Sequence, residues 1–184
     1  LFYSAIVKPE LFSKIILLDP VIFSSFKCRV WSIIKAMGLG MYFHPLAKKA
    51  LYRKKIFISK KEIFHRYRKK QIFSSFTDES LKIYIDSIIK KHNDCFVLNF
   101  SSKVESDIYL SGLTLENIIL KQFNKIKSKI YIMYADKDST ISTSTLNLFS
   151  KSNKIEQYKI DGLSHLFPME DSNRVYMKIR DILT

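Results

Sequence analysis

The sequence predicts an α/β fold in which a mainly parallel sheet is covered by helices. Three segments of strand length carry this prediction: the apolar runs KIILLDPVIF at residues 14–23 and KIYIMYADKDS at residues 129–139, and the short alternating segment IEQYKI at residues 155–160. Continuous apolar runs are typical of parallel strands that are buried on both faces. Helical segments separate the three runs, and alternation of strands and helices favours a parallel sheet with helices packed on it.

Helical periodicity follows the first run and extends from about Ser24 to Asp94. Ser59 and Glu62 have the spacing of a capping box, and Thr77 precedes a segment with one apolar face. The members of that face are Leu81, Tyr84, Ile85, Ile88 and Ile89. The segment FVLNF, residues 96–100, is predicted to be extended or a short strand.

Three helices are predicted in the last part of the chain, at residues 113–126, 142–151 and 172–183. Ser142 or Thr143 is the expected cap of the second helix, and Val175, Ile179 and Ile182 are expected to face inward on the third. The order of elements predicts a core domain at residues 1–23, an inserted helical block at residues 24–100, which the family resemblance described below identifies with a cap, and the rest of the core at residues 101–184.

The composition is that of a globular protein, with 47% hydrophobic and 14% aromatic residues in 184. No apolar run approaches the ~20 residues of a membrane span. Cys28 and Cys95 form no CxxC motif, so we expect free thiols and a cytoplasmic location. The histidines form no HxxxH or HxH pair, and we expect neither a metal nor a cofactor. They are His44, His65, His92 and His165.

The net charge of +14 is concentrated in one segment, residues 48–70, which holds eleven lysine or arginine residues and one acid, Glu62. Such a segment is either a solvated face of the cap or the surface of a basic, non-catalytic module that binds nucleic acid or anionic membranes. The excess of Lys over Arg and the lack of a nucleic-acid motif favour the solvated face and no specific nucleic-acid partner.

The opening residues LFYSAIVKPELF are typical of a helix already under way. We therefore expect the chain to be an internal part of a longer protein.

Polar residues follow the second and third predicted strands, where a parallel sheet places its ligands. Asp136 and Asp138 follow the second run, and Asp161, Ser164 and His165 follow the third. An acid followed along the chain by a histidine, each on a loop after a strand, is the order of the last two members of a Ser, Asp and His triad.

These residues resemble the α/β-hydrolase family. YADKD resembles the family's G-x-x-D loop after the seventh strand, with Asp138 at the acid position. GLSHLFPME resembles its G-x-x-H-x-x-P-x-E loop, with His165 at the base position. KIILLDP resembles the sixth strand, which leads into the cap. The resemblance implies a partial α/β-hydrolase sheet with an inserted helical cap.

The chain departs from the family pattern in three ways, one of which is Ser172 where the family often has Pro after the Glu. Ala135 stands where the family usually has Gly, and would need a negative φ there. No G-x-S-x-G motif occurs in the sequence, so the nucleophile either lies upstream of Leu1 or does not exist, as in a catalytically dead relative, and this chain alone is expected to be inactive.

The implied activity is hydrolysis of an ester or thioester by a Ser-Asp-His triad. His165 would be the general base and Asp138 its orienting acid. Asp19 also lies at a strand end, but the following Pro20 favours a structural turn there. The aromatic cap favours a small-molecule substrate with an apolar part. An aspartate nucleophile, as in epoxide hydrolases and haloalkane dehalogenases, is the alternative.

Overall fold

The computed structural model describes residues 1–112 and 115–184. The strands in these ranges are β1 (Lys14–Leu18), β2 (Ile56–Phe57), β3 (Ile89–His92), β4 (Cys95–Leu98), β5 (Lys129–Ala135) and β6 (Ile155–Ile160). The helices are α1 (Phe2–Val7), α2 (Ser25–Ala36), α3 (Gly40–Phe43), α4 (Pro45–Leu51), α5 (Lys60–Arg68), α6 (Asp78–Ile88), α7 (Ser102–Ser111), α8 (Glu116–Gln122), α9 (Thr143–Phe149), α10 (Phe167–Glu170) and α11 (Ser172–Leu183). Short 3₁₀ helices lie at Pro9–Leu11, Gln71–Phe73 and Phe123–Lys125.

The described chain divides into two compact units. Residues 1–33 and 115–184 form the larger unit, and Ile34–Gly112 form the smaller one. The predicted cap, residues 24–100, begins and ends about ten residues earlier in the chain than the smaller unit does. The difference arises because most of α2 belongs to the larger unit and α7 to the smaller one.

A parallel sheet of three strands, in the order β1-β5-β6, forms the centre of the larger unit. The middle strand β5 is buried on both faces. Ile130 and Ile132 belong to one apolar cluster with residues of α1, α8 and α9, whereas Met133 and Ala135 belong to a second cluster with residues of α10 and α11. The alternation of side chains along a strand explains this division. The parallel pairing of β5 with β1 and with β6 confirms the expected parallel sheet.

The smaller unit contains an antiparallel sheet in the order β2-β4-β3. The helical prediction that extended to Asp94 is wrong beyond Ile88, because residues 89–92 form β3. His92 pairs with Cys95 across a two-residue turn, and Asn93 adopts a φ of +50° in it. Asn tolerates that left-handed conformation, which tight hairpin turns require.

Several predicted helix signals are confirmed. Ser59, Thr77 and Ser142 each accept a hydrogen bond from a main-chain amide three residues later, as N-caps of α5, α6 and α9. The helix predicted at residues 172–183 is α11. The helix predicted at 113–126 is found as α8 and a following 3₁₀ turn, and its first two positions, Leu113 and Thr114, lie outside the described residues.

Acidic side chains pair with part of the basic segment of residues 48–70. The partners, all within the smaller unit, are Arg53–Glu105, Lys54–Glu62, Lys60–Asp86 and Arg68–Asp78. None of the helices within residues 1–112 and 115–184 is both long and apolar enough to cross a membrane.

Candidate active site

The candidate site lies at the carboxyl edge of the parallel sheet, where loops follow β1, β5 and β6. Asp19 follows β1 directly, residues 136–142 follow β5, and His165 lies between β6 and α10. Ligands of parallel sheets bind at this edge. All three loops belong to the larger unit, so the geometry below is internal to it.

Asp19 ends β1 because its backbone turns sharply. Its φ is +42°, outside the range of an extended strand, and its amide still donates to Met133 O at 2.7 Å. The residue is 1% exposed. An ionised carboxylate buried to this degree needs hydrogen-bond donors to replace water.

Four donors surround the buried carboxylate. Oδ1 accepts from the Ala135 amide at 3.2 Å and from Ser139 Oγ at 2.5 Å. Oδ2 accepts from the Thr140 amide at 3.0 Å and from His165 Nδ1 at 2.6 Å. A carboxylate offers about four lone-pair positions, so its hydrogen-bonding capacity is filled. The Thr140 hydroxyl donates to the Asp19 carbonyl oxygen at 2.7 Å and holds the same turn.

The balance of these effects keeps Asp19 ionised. Burial of the carboxyl group acts to raise its pKa, but hydrogen bonds from His165, Ser139 and the amides of Thr140 and Ala135 outweigh burial and lower the pKa below its ordinary value of 3.8. Asp19 is therefore an acceptor at neutral pH.

The imidazole of His165 is oriented by this acceptor. Because an ionised carboxylate only accepts, Nδ1 must carry the proton in the 2.6 Å contact. The His165 side chain is 37% exposed, and the hydrogen bonds found for its ring within the described residues are made by Nδ1. Nε2 of the neutral ring is then unprotonated and available as a base.

Two acidic side chains, Glu170 and Asp136, fix the loop that carries His165. Glu170 accepts from the amide of Ser164 at 2.8 Å and from its hydroxyl, so it closes the loop on both sides of the histidine. Asp136 accepts from the Gly162 amide at 3.2 Å and pairs with Lys159 at 2.6 Å. The sequence analysis did not assign these roles to Asp136 and Glu170.

The predicted pairing of Asp138 with His165 is corrected by the structure, in which Asp19 contacts the imidazole. Asp138 is exposed and has a φ of +54° in the turn after β5. That turn directs Ser139 and Thr140 to Asp19. The loop after β5 thus supplies hydrogen-bond donors to the Asp19 carboxylate. It does not supply the carboxylate that contacts His165.

Ala135 meets the sequence expectation for its backbone. It lies in β5 and is absent from the non-glycine positive-φ residues of the described chain, which are Asp19, Asn93 and Asp138.

No group of three or more His, Cys, Asp or Glu in residues 1–112 and 115–184 is arranged to hold a metal ion.

The site and sheet thus define a buried acid and an oriented histidine on the carboxyl edge of an α/β fold. The comparisons with known proteins add the particular fold. The chain is similar to the peroxisomal α/β-hydrolase Lpx1 from Saccharomyces cerevisiae, with 16% identity and a TM-score of 0.75 over 99% of this chain and 48% of that one. It is also similar to the thioesterase domain from the curacin biosynthetic pathway, with 14% identity and a TM-score of 0.66 over 97% of this chain and 59% of that one.

An esterase from Mycobacterium tuberculosis, Rv0045c, matches with 10% identity and a TM-score of 0.66, over 99% of this chain and 58% of that one. No family model and no curated protein matches the sequence. The chain therefore has the α/β-hydrolase fold, and it spans about half to three fifths of the length of these structures.

Proposed function

We propose that this chain supplies the general base and the orienting carboxylate of a hydrolase that cleaves an ester or thioester. His165 is the base and Asp19 is the carboxylate. The observation that carries the proposal is the 2.6 Å hydrogen bond between His165 Nδ1 and Asp19 Oδ2, with the carboxylate buried and the imidazole partly exposed. A histidine held in one tautomer by a buried carboxylate is the arrangement that activates a hydroxyl nucleophile.

The reaction would proceed in two halves. His165 Nε2 takes the proton of a serine hydroxyl as the oxygen attacks the carbonyl carbon of the substrate, and the negative Asp19 stabilises the imidazolium that forms. The imidazolium gives that proton to the leaving alcohol or thiol as the bond to it breaks. Water then repeats the sequence on the acyl-enzyme, releases the acid and restores the serine.

The serine would come from a G-x-S-x-G motif outside these 184 residues, since the sequence contains none. The matched structures include a thioesterase domain and an esterase, and this supports a carbonyl substrate for the present chain. A substrate with an apolar acyl part remains the proposal made from the aromatic content of the smaller unit. That unit corresponds in chain position to the predicted cap, and its role in covering the substrate is likewise proposed.

The test is turnover of p-nitrophenyl esters by the full-length protein. We expect activity that His165→Gln removes and that His92→Gln, a change at an exposed histidine on β3, leaves intact. The 184-residue chain alone should be inactive. Turnover that survives His165→Gln would contradict the proposal, and so would a folded, full-length protein without any hydrolase activity. A G-x-D-x-G motif in the parent gene would instead indicate an alkyl-ester intermediate, as in epoxide hydrolases.

A further inference from the structure

A cavity of about 430 Å³ lies between α5 and α6 of the smaller unit and has no part in the proposed chemistry. Its lining residues are Lys60, Lys61, Phe64, His65, Lys82, Ile85 and Asp86. All of them lie within residues 34–112, so the cavity is formed by one compact unit. Its volume is in the range of small-molecule sites.

The apolar part of the cavity is fixed by packing. Ile85 is 2% exposed and belongs to the buried face of α6. The Phe64 ring lies 5.5 Å from the guanidinium carbon of Arg68. Arg68 is itself held in place, because it donates to Phe73 O at 3.0 Å and to Phe76 O at 2.9 Å and pairs with Asp78. A flat apolar group would therefore meet a preformed surface.

The charged part of the cavity is cationic. Asp86 pairs with Lys60, with 2.7 Å between Oδ1 and Nζ, and this contact uses the single carboxylate of the lining. Lys61 and Lys82 remain without an ion-pair partner among the described residues, and His65 adds a further nitrogen donor. The lining thus has a net positive charge beside an apolar surface.

A second cavity in the same unit differs in this respect. It has a volume of about 310 Å³ and its lining includes both Arg53 and Glu105, which form a two-pronged ion pair. The charges of these two residues cancel there. The excess of cations in its lining thus distinguishes the cavity between α5 and α6 from this second cavity.

We propose that the cavity between α5 and α6 binds a small organic anion with a flat apolar body, such as an aryl carboxylate or sulfonate. The apolar body lies against the Phe64 ring, with Ile85 at the buried base of the cavity, and the anionic group accepts hydrogen bonds from Lys61 and Lys82. This second site goes beyond the proposed hydrolase activity and does not depend on it.

The test is calorimetric titration of the full-length protein with 2-naphthoate. Acetate carries the same charge without the aromatic body, and 2-naphthylmethanol carries the body without the charge. We expect both to bind at least about tenfold more weakly than 2-naphthoate, because each lacks one of the two contacts. Equal binding of the alcohol and the carboxylate would overturn the proposal, as would no binding of 2-naphthoate at millimolar concentration.

Paired variants locate the site. Lys61→Gln with Lys82→Gln should weaken 2-naphthoate binding about tenfold, in line with two exposed charge-assisted contacts. Lys90→Gln with Lys91→Gln removes the same charge from two exposed positions of β3 and should change binding less than about twofold. If both double variants lose 2-naphthoate affinity equally, the anion is attracted by net charge alone, and the proposed site is refuted. The 2-naphthoate titration does not depend on ester turnover. The proposed hydrolase activity and the proposed anion site can therefore fail separately.

Discussion

Replacing Asp19 by Asn changes one atom of the proposed site and tests its central contact. If the amide oxygen keeps the bonds from Ala135 and Ser139, the NH₂ group faces the Thr140 amide and His165 Nδ1, which in the wild type donate to the carboxylate at 3.0 and 2.6 Å. The imidazole must then accept at Nδ1 and carry its proton on Nε2, where it cannot act as a base. In the opposite orientation the NH₂ group faces the Ala135 amide, and the negative charge that stabilises the imidazolium is still lost.

The expected loss in turnover is roughly four orders of magnitude, as for the equivalent change in serine proteases. Either orientation leaves one buried main-chain amide without an acceptor, which costs about 1–3 kcal/mol. With the loss of charge-assisted bonds we expect the free energy of unfolding to fall by about 2–3 kcal/mol and the thermal midpoint by about 4–12 °C.

Asp138→Asn is the matched control for this change. Asp138 is exposed and has a φ of +54°, a conformation that Asn accepts as well as Asp. We expect its turnover to stay within about twofold of wild type. Ester turnover and thermal midpoint are measured for both full-length variants. Loss of turnover in Asp138→Asn, with near-native turnover in Asp19→Asn, would refute the assignment of the acid.

Three further predictions concern the surroundings of the site and the basic segment. Ser139→Ala removes the 2.5 Å bond to Asp19 Oδ1 and should lower the free energy of unfolding by about 1–2 kcal/mol; an unchanged denaturation midpoint would contradict this. Because folding lowers the pKa of Asp19, its stabilising effect is complete above pH 3.8 and is lost as the pH falls through the folded pKa below that value. The difference in thermal midpoint between wild type and Asp19→Asn should therefore shrink in acid, and a constant difference down to the acid limit would count against an ionised Asp19. The full-length protein should bind DNA, RNA and anionic vesicles only weakly and with strong salt dependence. Tight binding at physiological salt that is lost on changing four lysines to Gln would contradict a solvated basic face. These lysines are Lys54, Lys55, Lys69 and Lys70.

The parallel sheet and its helices could be predicted from local patterns. The apolar runs at residues 14–23 and 129–139 contain β1 and β5, and the alternating segment at residues 155–160 is β6, because a buried strand is marked by its own residues. The strand β3 was missed, because IKKH also continues the helical pattern of α6. Residues 89–92 form a strand because they pair with β4, and their own sequence gives no sign of that pairing.

The site was predicted in part for a similar reason. His165 lies on the expected loop, but the choice between Asp19 and Asp138 depended on the path of the loop after β5. Chain order favoured Asp138, since its loop precedes the histidine strand. The left-handed turn at Asp138 and the hydrogen bonds of Ser139 and Thr140 to Asp19 are tertiary features. The available signal was an acidic residue at the end of a buried strand, which requires donors from its neighbours.

The most direct test of the account is the protonation of His165, measured by nitrogen-15 NMR of the imidazole in the full-length protein at neutral pH. We predict that the proton of the neutral ring lies on Nδ1 and that its resonance is shifted far downfield by the short bond to Asp19. The shift should disappear in Asp19→Asn and persist in Asp138→Asn. A ring protonated on Nε2 in the wild type, or a downfield resonance that is lost in Asp138→Asn and kept in Asp19→Asn, would contradict the account.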